Sequence, residues 1–184
     1  ALADKYARQA DGTGRYIGMP SYARDVLPRV TDLSLVDGPT DLGDGMLLTG
    51  PIPRHTPFED TGGAFFRDAN CTLPDDLVDD QALLLQTQNG TVVVSGCAHA
   101  GIVNTLSYAN ELLPGQPIHA VIGGMHLINA SAARLNATAE ALQQFKVRKF
   151  YPMHCTGDRP IRALFEQFPE RTHLCPVGTQ LTLN

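Results

Sequence analysis

Several residue patterns are missing from this chain, and each absence narrows what it does. No uninterrupted apolar run approaches the ~20 residues of a membrane-spanning helix, so no membrane is expected as a partner. No cluster of Lys or Arg occurs, and 14 basic against 19 acidic residues leave a net charge of −5. Without a basic field, nucleic acid is not an expected partner either. Cysteine is sparse: Cys71, Cys97, Cys155 and Cys175 form no CxxC pair and no disulfide framework. That favours a reducing, cytoplasmic compartment. The opening ALADKYARQADG lacks the basic start and apolar stretch of a secretory signal. There is no internal repeat and no low-complexity segment.

What remains fits one globular domain over residues 1–184, because 43% hydrophobic and 18% charged residues can build a sizeable core. ALADKYARQA reads as a helix from its first residue, with no capping residue before it. This predicts that the chain starts partway into a larger fold. SYARDVLPRV reads as a short helix with Ser21 as N-cap. TDLSLVDGPTDLGDGMLLTG reads as short strands broken by Asp-Gly turns. Residues 51–80 are polar, rich in Pro, Gly and Asp, and aperiodic; loops of that length are usually functional.

From Gln81 the pattern is regular. ALLLQT and TVVVSG, joined at Asn89-Gly90, predict a β-hairpin. Residues 101–113 place Ile102, Leu106, Ala109 and Leu113 on one helical face. IHAVIGG is a buried strand, and residues 131–145 form a helix with Leu135, Ala139, Leu142 and Phe145 inward. KFYPM is a further strand. DRPIRALFEQF is a helix with Asp158 near its start and Pro160 in its first turn. HLCPV and QLTL read as closing strands. The alternation is that of an α/β layered domain, whose ligands gather at the carboxyl ends of the strands.

Three of those strand ends carry a histidine: His99 after TVVVSG, His126 after HAVIGG and His154 after KFYPM. Strands running parallel share one edge, so the three imidazoles converge there and suit zinc or another divalent transition metal. One such histidine alone is more often a solvated or backbone-bonded loop residue. Three at equivalent positions in consecutive units reverse that reading. Cys97 is either a small buried hydrophobe or a thiolate ligand. A Cys–His nucleophile pair ranks lower, for want of an acyl-transfer signature. His119 and His173 are expected to be structural or exposed, and His55 in the long loop stays open.

DDQALLLQTQNGTVVVSGCAHAGIVNTL, HAVIGGMHL and YPMHCTG together resemble the metallo-β-lactamase fold superfamily. They resemble most its branch of 7,8-dihydropterin-6-yl-methyl-4-(β-D-ribofuranosyl)aminobenzene 5′-phosphate synthase-like proteins, and LLTGPIPRHTPFED is similar to that branch's loop before the hairpin. The resemblance implies an αβ/βα sandwich with one or two metals, usually zinc, at the strand-end edge. It carries over His99, His126 and His154 as ligands, with Cys97 standing where many relatives place a bridging Asp. His55 is a runner-up ligand, in a Pro-Arg-His-Thr-Pro that matches a Pro-Gly-His-Thr-Pro of many relatives. The superfamily's His-x-His-x-Asp-His is absent from these residues. The fold expected is thus a sandwich lacking its first strands and that region, completed by an N-terminal segment or a second chain.

The expected activity is metal-dependent hydrolysis, with a metal-activated water attacking a phosphoester or another small-molecule ester or amide. Arg54 is a candidate anchor for a phosphate or carboxylate, and Asn104 a candidate for orienting a ligand. The alternatives are a transferase condensing a pterin with an aminobenzene ribofuranosyl phosphate, and a non-catalytic metal-binding fragment or interaction module.

Overall fold

A computed structural model describes residues 2–183. Two sheets organise it. The smaller has three antiparallel strands, β1 (Tyr6–Arg8), β2 (Gly14–Tyr16) and β5 (Phe65–Phe66), in the order β2-β1-β5. The larger has six, with β3 (Thr40–Gly43), β4 (Met46–Leu48), β6 (Ala82–Thr87), β7 (Gly90–Ser95), β8 (Ile118–Gly123) and β9 (Lys149–Pro152) in sequence order. The pairings β3–β4, β4–β6 and β6–β7 are antiparallel; β7–β8 and β8–β9 are parallel. Helix α1 (Ser21–Val30) lies before β3. Helices α2 (Ile102–Leu112), α3 (Ala132–Gln144) and α4 (Asp158–Gln167) follow β7, β8 and β9 in turn.

Period-two alternation divides the large sheet into two faces. Leu84, Val93, Val121 and Phe150 point to one face and are fully buried against Ile102 and Leu106 of α2, Leu142 of α3, and Leu164 and Phe168 at the end of α4. Each such side chain contributes about 1.5–3 kcal/mol when taken from water. The neighbouring residues Val92, Ala120 and Tyr151 face the other way, where Cys175, Leu181 and Leu183 of the C-terminal segment pack over them.

The hairpin, α2, β8, α3, β9 and α4 stand where the sequence places them. The hairpin turn is Gln88-Asn89, one residue earlier than expected, because Thr87 pairs with Gly90. Three expectations are corrected. ALADKYARQA is not a helix: Tyr6–Arg8 is a strand paired on both sides, Tyr6 facing Tyr16 and Phe66. Arg8 lies over the Phe66 ring at 4.4 Å, and Lys5 donates to Asp75 and Asp79 at 2.8 and 2.9 Å. These partners from residues 65–79 override the helix-forming composition; Ala1 itself lies outside the described residues. Ser21 is the first helical residue of α1 rather than its cap, a place taken by Pro20 with no side-chain hydrogen bond. HLCPV and QLTL form no strands; the segment after α4 contributes an isolated bridge from Thr172 to Phe150.

Residues 51–80 are therefore less free than their composition implies. β5 ties them to β1, and the Arg8 guanidinium donates to the Cys71 carbonyl at 2.6 Å. The no-membrane expectation has a narrow structural counterpart: among the described residues, no helix is long and apolar enough to cross a membrane.

Candidate metal centre and adjoining cleft

The register of the parallel strands sets the site. Ser95 pairs with Gly123, and Gly123 with Pro152, so β7, β8 and β9 end level. The turns that follow are stitched together: Gly124 N–H donates to Gly96 O at 3.0 Å, Met153 N–H to Gly123 O at 3.1 Å, and Met125 N–H to Thr156 Oγ1 at 3.1 Å. Gly124 is required by this closeness, since a Cβ there would lie 2.5 Å from Gly96 O and 2.6 Å from Cys155 Sγ. Each turn also holds a non-glycine residue in the left-handed region: Ala98 (φ 56°), His126 (φ 47°) and His154 (φ 52°). Such conformations cluster where a side chain must be aimed.

The side chains gather in two linked groups. Cys97 Sγ lies 3.2 Å from His154 Nε2, and one donor atom each of Cys97, His154 and Cys155 fall within 4.8 Å of one another. Beside them the His99 and His126 rings stand 4.2 Å apart at 52°. The expected trio of histidines therefore does not close on itself. His154 meets the two thiols, while His99 and His126 meet each other. Phe65 against His99 (5.5 Å, edge-on) and the Thr61 carbonyl near His99 Nδ1 (3.4 Å) hold that pair. Cys97 stands between the groups, close enough to His99 for that imidazole to pull its thiol downward. Cys155 was not singled out as a ligand from the sequence; its signal was its place beside His154.

The thiols titrate as a pair. The hydrogen bond from Cys97, opposed by burial, brings Cys155 down to about 7. The same contact with Cys155 pushes Cys97 up to about 11, against the pull of His99. Burial lowers His126 below the usual histidine range, and the Arg134 charge adds to this.

The long loop covers the histidine pair. Gly62 packs on His126 so closely that a Cβ would lie 2.2 Å from the ring. Glu59 anchors the loop to the start of α2, accepting from Val103 N–H at 2.9 Å and Asn104 N–H at 2.8 Å, where the helix dipole favours an anion. Burial nevertheless raises the Glu59 carboxyl above its ordinary value. Asn104 is 2% exposed, and its Oδ1 accepts from His55 N–H and Thr56 N–H at 2.9 Å each. That places Asn104 as a loop anchor, turned away from open space. His55 is exposed and its imidazole lies outside the Cys97–His154–Cys155 group. Arg54 donates to the Leu77 carbonyl at 3.1 Å. Asp80 went unnoticed in the sequence, where its signal was the acidic doublet before β6. It accepts from Ala100 N–H at 2.8 Å and shares a small cleft of about 210 Å³ with His99 and Lys5.

A larger cleft of about 750 Å³ opens between the loop and α3, with His126 on its wall. Arg134, in the first turn of α3, is 7% exposed and pairs with Asp60, whose side chain is 72% exposed.

The donor set fits a metal. Two thiols and an imidazole are soft-to-borderline donors, and bonds of about 2.0–2.3 Å to a tetrahedral zinc place ligand atoms about 3.3–3.8 Å apart, a spacing that small side-chain movements reach from the group's 4.8 Å limit. His126 Nδ1 is in addition a buried nitrogen with no hydrogen-bond partner. The Cys97–His154–Cys155 group thus supports metal binding.

No family model matches the chain. Tm1679, a metal-dependent hydrolase of the β-lactamase superfamily, superposes with a TM-score of 0.81 at 28% identity, over 99% of this chain and 68% of that one. The chain is therefore a protein of the metallo-β-lactamase fold. An uncharacterized protein of Methanocaldococcus jannaschii is 30% identical over 166 residues, covering 89% of this chain and 59% of the relative. The 7,8-dihydropterin-6-methyl-4-(β-D-ribofuranosyl)-aminobenzene-5′-phosphate synthase of the same organism is 36% identical over 96 residues, 52% of this chain and 33% of the synthase. That match supports the synthase-like branch. The chain spans about 59% and a third of the lengths of these two curated relatives.

Proposed function

We propose that this chain carries part of the active site of a zinc-dependent hydrolase acting on a phosphoester or a related small-molecule ester or amide. The observation that carries the reading is the gathering of Cys97, His99, His126, His154 and Cys155 on one sheet edge, with His126 also on the wall of a cleft large enough for a small organic substrate. Cys97, His154 and Cys155 would hold one ion, with His99 reaching the cluster through Cys97; His126, His99's neighbour, completes the histidine set. A bound divalent metal supplies a water acidic enough to ionise near neutral pH and polarises the substrate oxygen. Burial lowers His126 below the usual histidine range and its Nδ1 has no hydrogen-bond partner, which suits a neutral imidazole offered to a metal. The loop from Glu59 to Gly63 packs on the histidine pair, and the Glu59 and Asn104 anchors on α2 hold the loop there. A reducing, cytoplasmic setting suits the four free cysteines. An N-terminal segment or second chain would supply the His-x-His-x-Asp-His ligands.

The test is metal content by elemental analysis, with hydrolysis of aryl phosphate, ester and amide substrates measured on the same sample. About one zinc per chain is expected, lost in Cys97→Ala and His154→Ala. A chain that takes up no transition metal after reconstitution would refute the reading. Similarity to the synthase supports a second reading, condensation of a pterin with an aminobenzene ribofuranosyl phosphate. Product formation from those two substrates, without hydrolysis, would select it. Metal uptake without either reaction would mark a non-catalytic metal-binding module.

A further inference from the structure

We infer that the cleft between the loop and α3 binds an oxyanion, the phosphate or carboxylate group of the substrate, on Arg134, and that Asp60 occupies that place until the oxyanion arrives. The inference rests on the hydrolase reading for its chemistry, but its geometry stands separately.

Arg134 is a charged group almost wholly withdrawn from water, at 7% exposure. A guanidinium in that position needs acceptors around its fork to offset lost hydration. Its acceptors all come from one residue: Nη1 donates to the Asp60 carboxylate, and Nη2 reaches the Asp60 carbonyl at 3.4 Å. Nε is buried with no partner. One edge of the fork is thus unsatisfied, and Arg134 lines the 750 Å³ cleft into which a ligand would enter.

The partner is poorly suited to a permanent buried pair. Asp60 keeps 72% of its side chain in water, and its carboxylate already accepts from Gly62 N–H at 2.8 Å. Swinging it off Arg134 leaves it hydrated and bonded to its own loop. An incoming oxyanion then replaces one negative charge by another, so the buried cation is never left bare. It also brings further oxygens in the plane of the fork, able to engage more of its donors than Asp60 does once the guanidinium turns toward the cleft.

The position of Arg134 argues the same way. A cation in the first turn of a helix opposes the macrodipole, so α3 gains nothing from it. Asn129, Ser131 and Thr61 add polar atoms to the cleft wall, and His126 places the cleft against the Cys/His edge. An oxyanion held on Arg134 would therefore leave the rest of the substrate extending toward the metal ligands.

The test is calorimetric titration of the purified chain with phenyl phosphate and with benzoate, with and without a chelator. Binding that persists in chelator is expected, since the site does not use the metal. Arg134→Met should weaken it by about tenfold or more, the scale of a lost charge-assisted pair. Asp60→Asn, at an exposed position that leaves the fold intact, should strengthen it several-fold by removing the competitor. Saturable binding of either probe supports the inference and says which oxyanion is preferred; binding of neither overturns it. It is also overturned if Asp60→Asn weakens binding as much as Arg134→Met does, because the pair would then be structural. Zinc content of each variant separates this outcome from failure of the hydrolase reading: Arg134→Met should retain its metal.

Discussion

Asn104→Ala should release the loop that covers the site while leaving the Cys/His cluster in place. Asn104 sits in the first turn of α2 with 2% of its surface exposed. Its Oδ1 holds the amides of His55 and Thr56, and its Nδ2 donates to the Ala100 carbonyl at 2.7 Å. Removing the amide leaves three backbone groups without this partner, each worth about 1–3 kcal/mol if it stays dry. His55 is exposed, so water reaches its amide and the contribution there falls to the low end. The sum is roughly 3 kcal/mol. In a chain of this length that lowers Tm by about 6–12 °C. Urea and thermal unfolding give the loss, and limited proteolysis reports whether cleavage concentrates between residues 51 and 63. Asn104→Asp keeps the acceptors but turns an oxygen toward Ala100 O, so it should lose about half as much. A loss below about 1 kcal/mol with unchanged proteolysis would refute the argument, leaving Glu59 as sufficient anchor.

Gly62→Ala should displace the His126 ring, since the added carbon would sit 2.2 Å from it at φ 71°. Gly115→Ala is the control: its φ of 80° carries the same backbone strain with nothing within 4 Å. If both variants lose equal stability and the His126 ring resonances do not move, the loop does not pack on that ring. His119 in β8 is 8% exposed, and burial, with the Lys149 and Arg148 charges, holds it below the usual histidine range. Its folded pKa therefore lies under the unfolded value of about 6.5. Its stabilising contribution is present above that pH and is lost as pH falls through the folded value. His119→Phe should flatten the decline in stability between pH 7.5 and 5; parallel curves for variant and parent would sink the idea.

Periodicity made the second half of the chain legible, because each strand and helix from Gln81 to Phe168 buries a face whose spacing declares it. The strand-end histidines were legible for the same reason, as topology alone brings β7, β8 and β9 level. The first half was not. Tyr6–Arg8 is a strand because Phe65 and Phe66, nearly sixty residues away, pair with it, and no local pattern records that. Nor does spacing tell which imidazole faces which. His154 turns to Cys97 because both turns are left-handed at defined residues, a backbone property that His and Ala do not advertise. Arg134 had a readable signal, a cation where a helix dipole disfavours one, but its meaning depends on Asp60 from a distant loop.

The mixed pairing of the large sheet sets the order in which the cluster comes into being. The antiparallel hairpin β6–β7 closes over a two-residue turn, an event of about 1–10 μs. The parallel pairings β7–β8 and β8–β9 must wait until α2 and α3 have folded back, and such non-local closures are slow. Cys97 and His99 are thus delivered early on the hairpin, whereas His154 and Cys155 arrive with the last strand. A chain emerging during synthesis presents Cys97 as a solitary thiol before its partner exists. The two sulfurs can therefore meet only once β9 has docked beside β8.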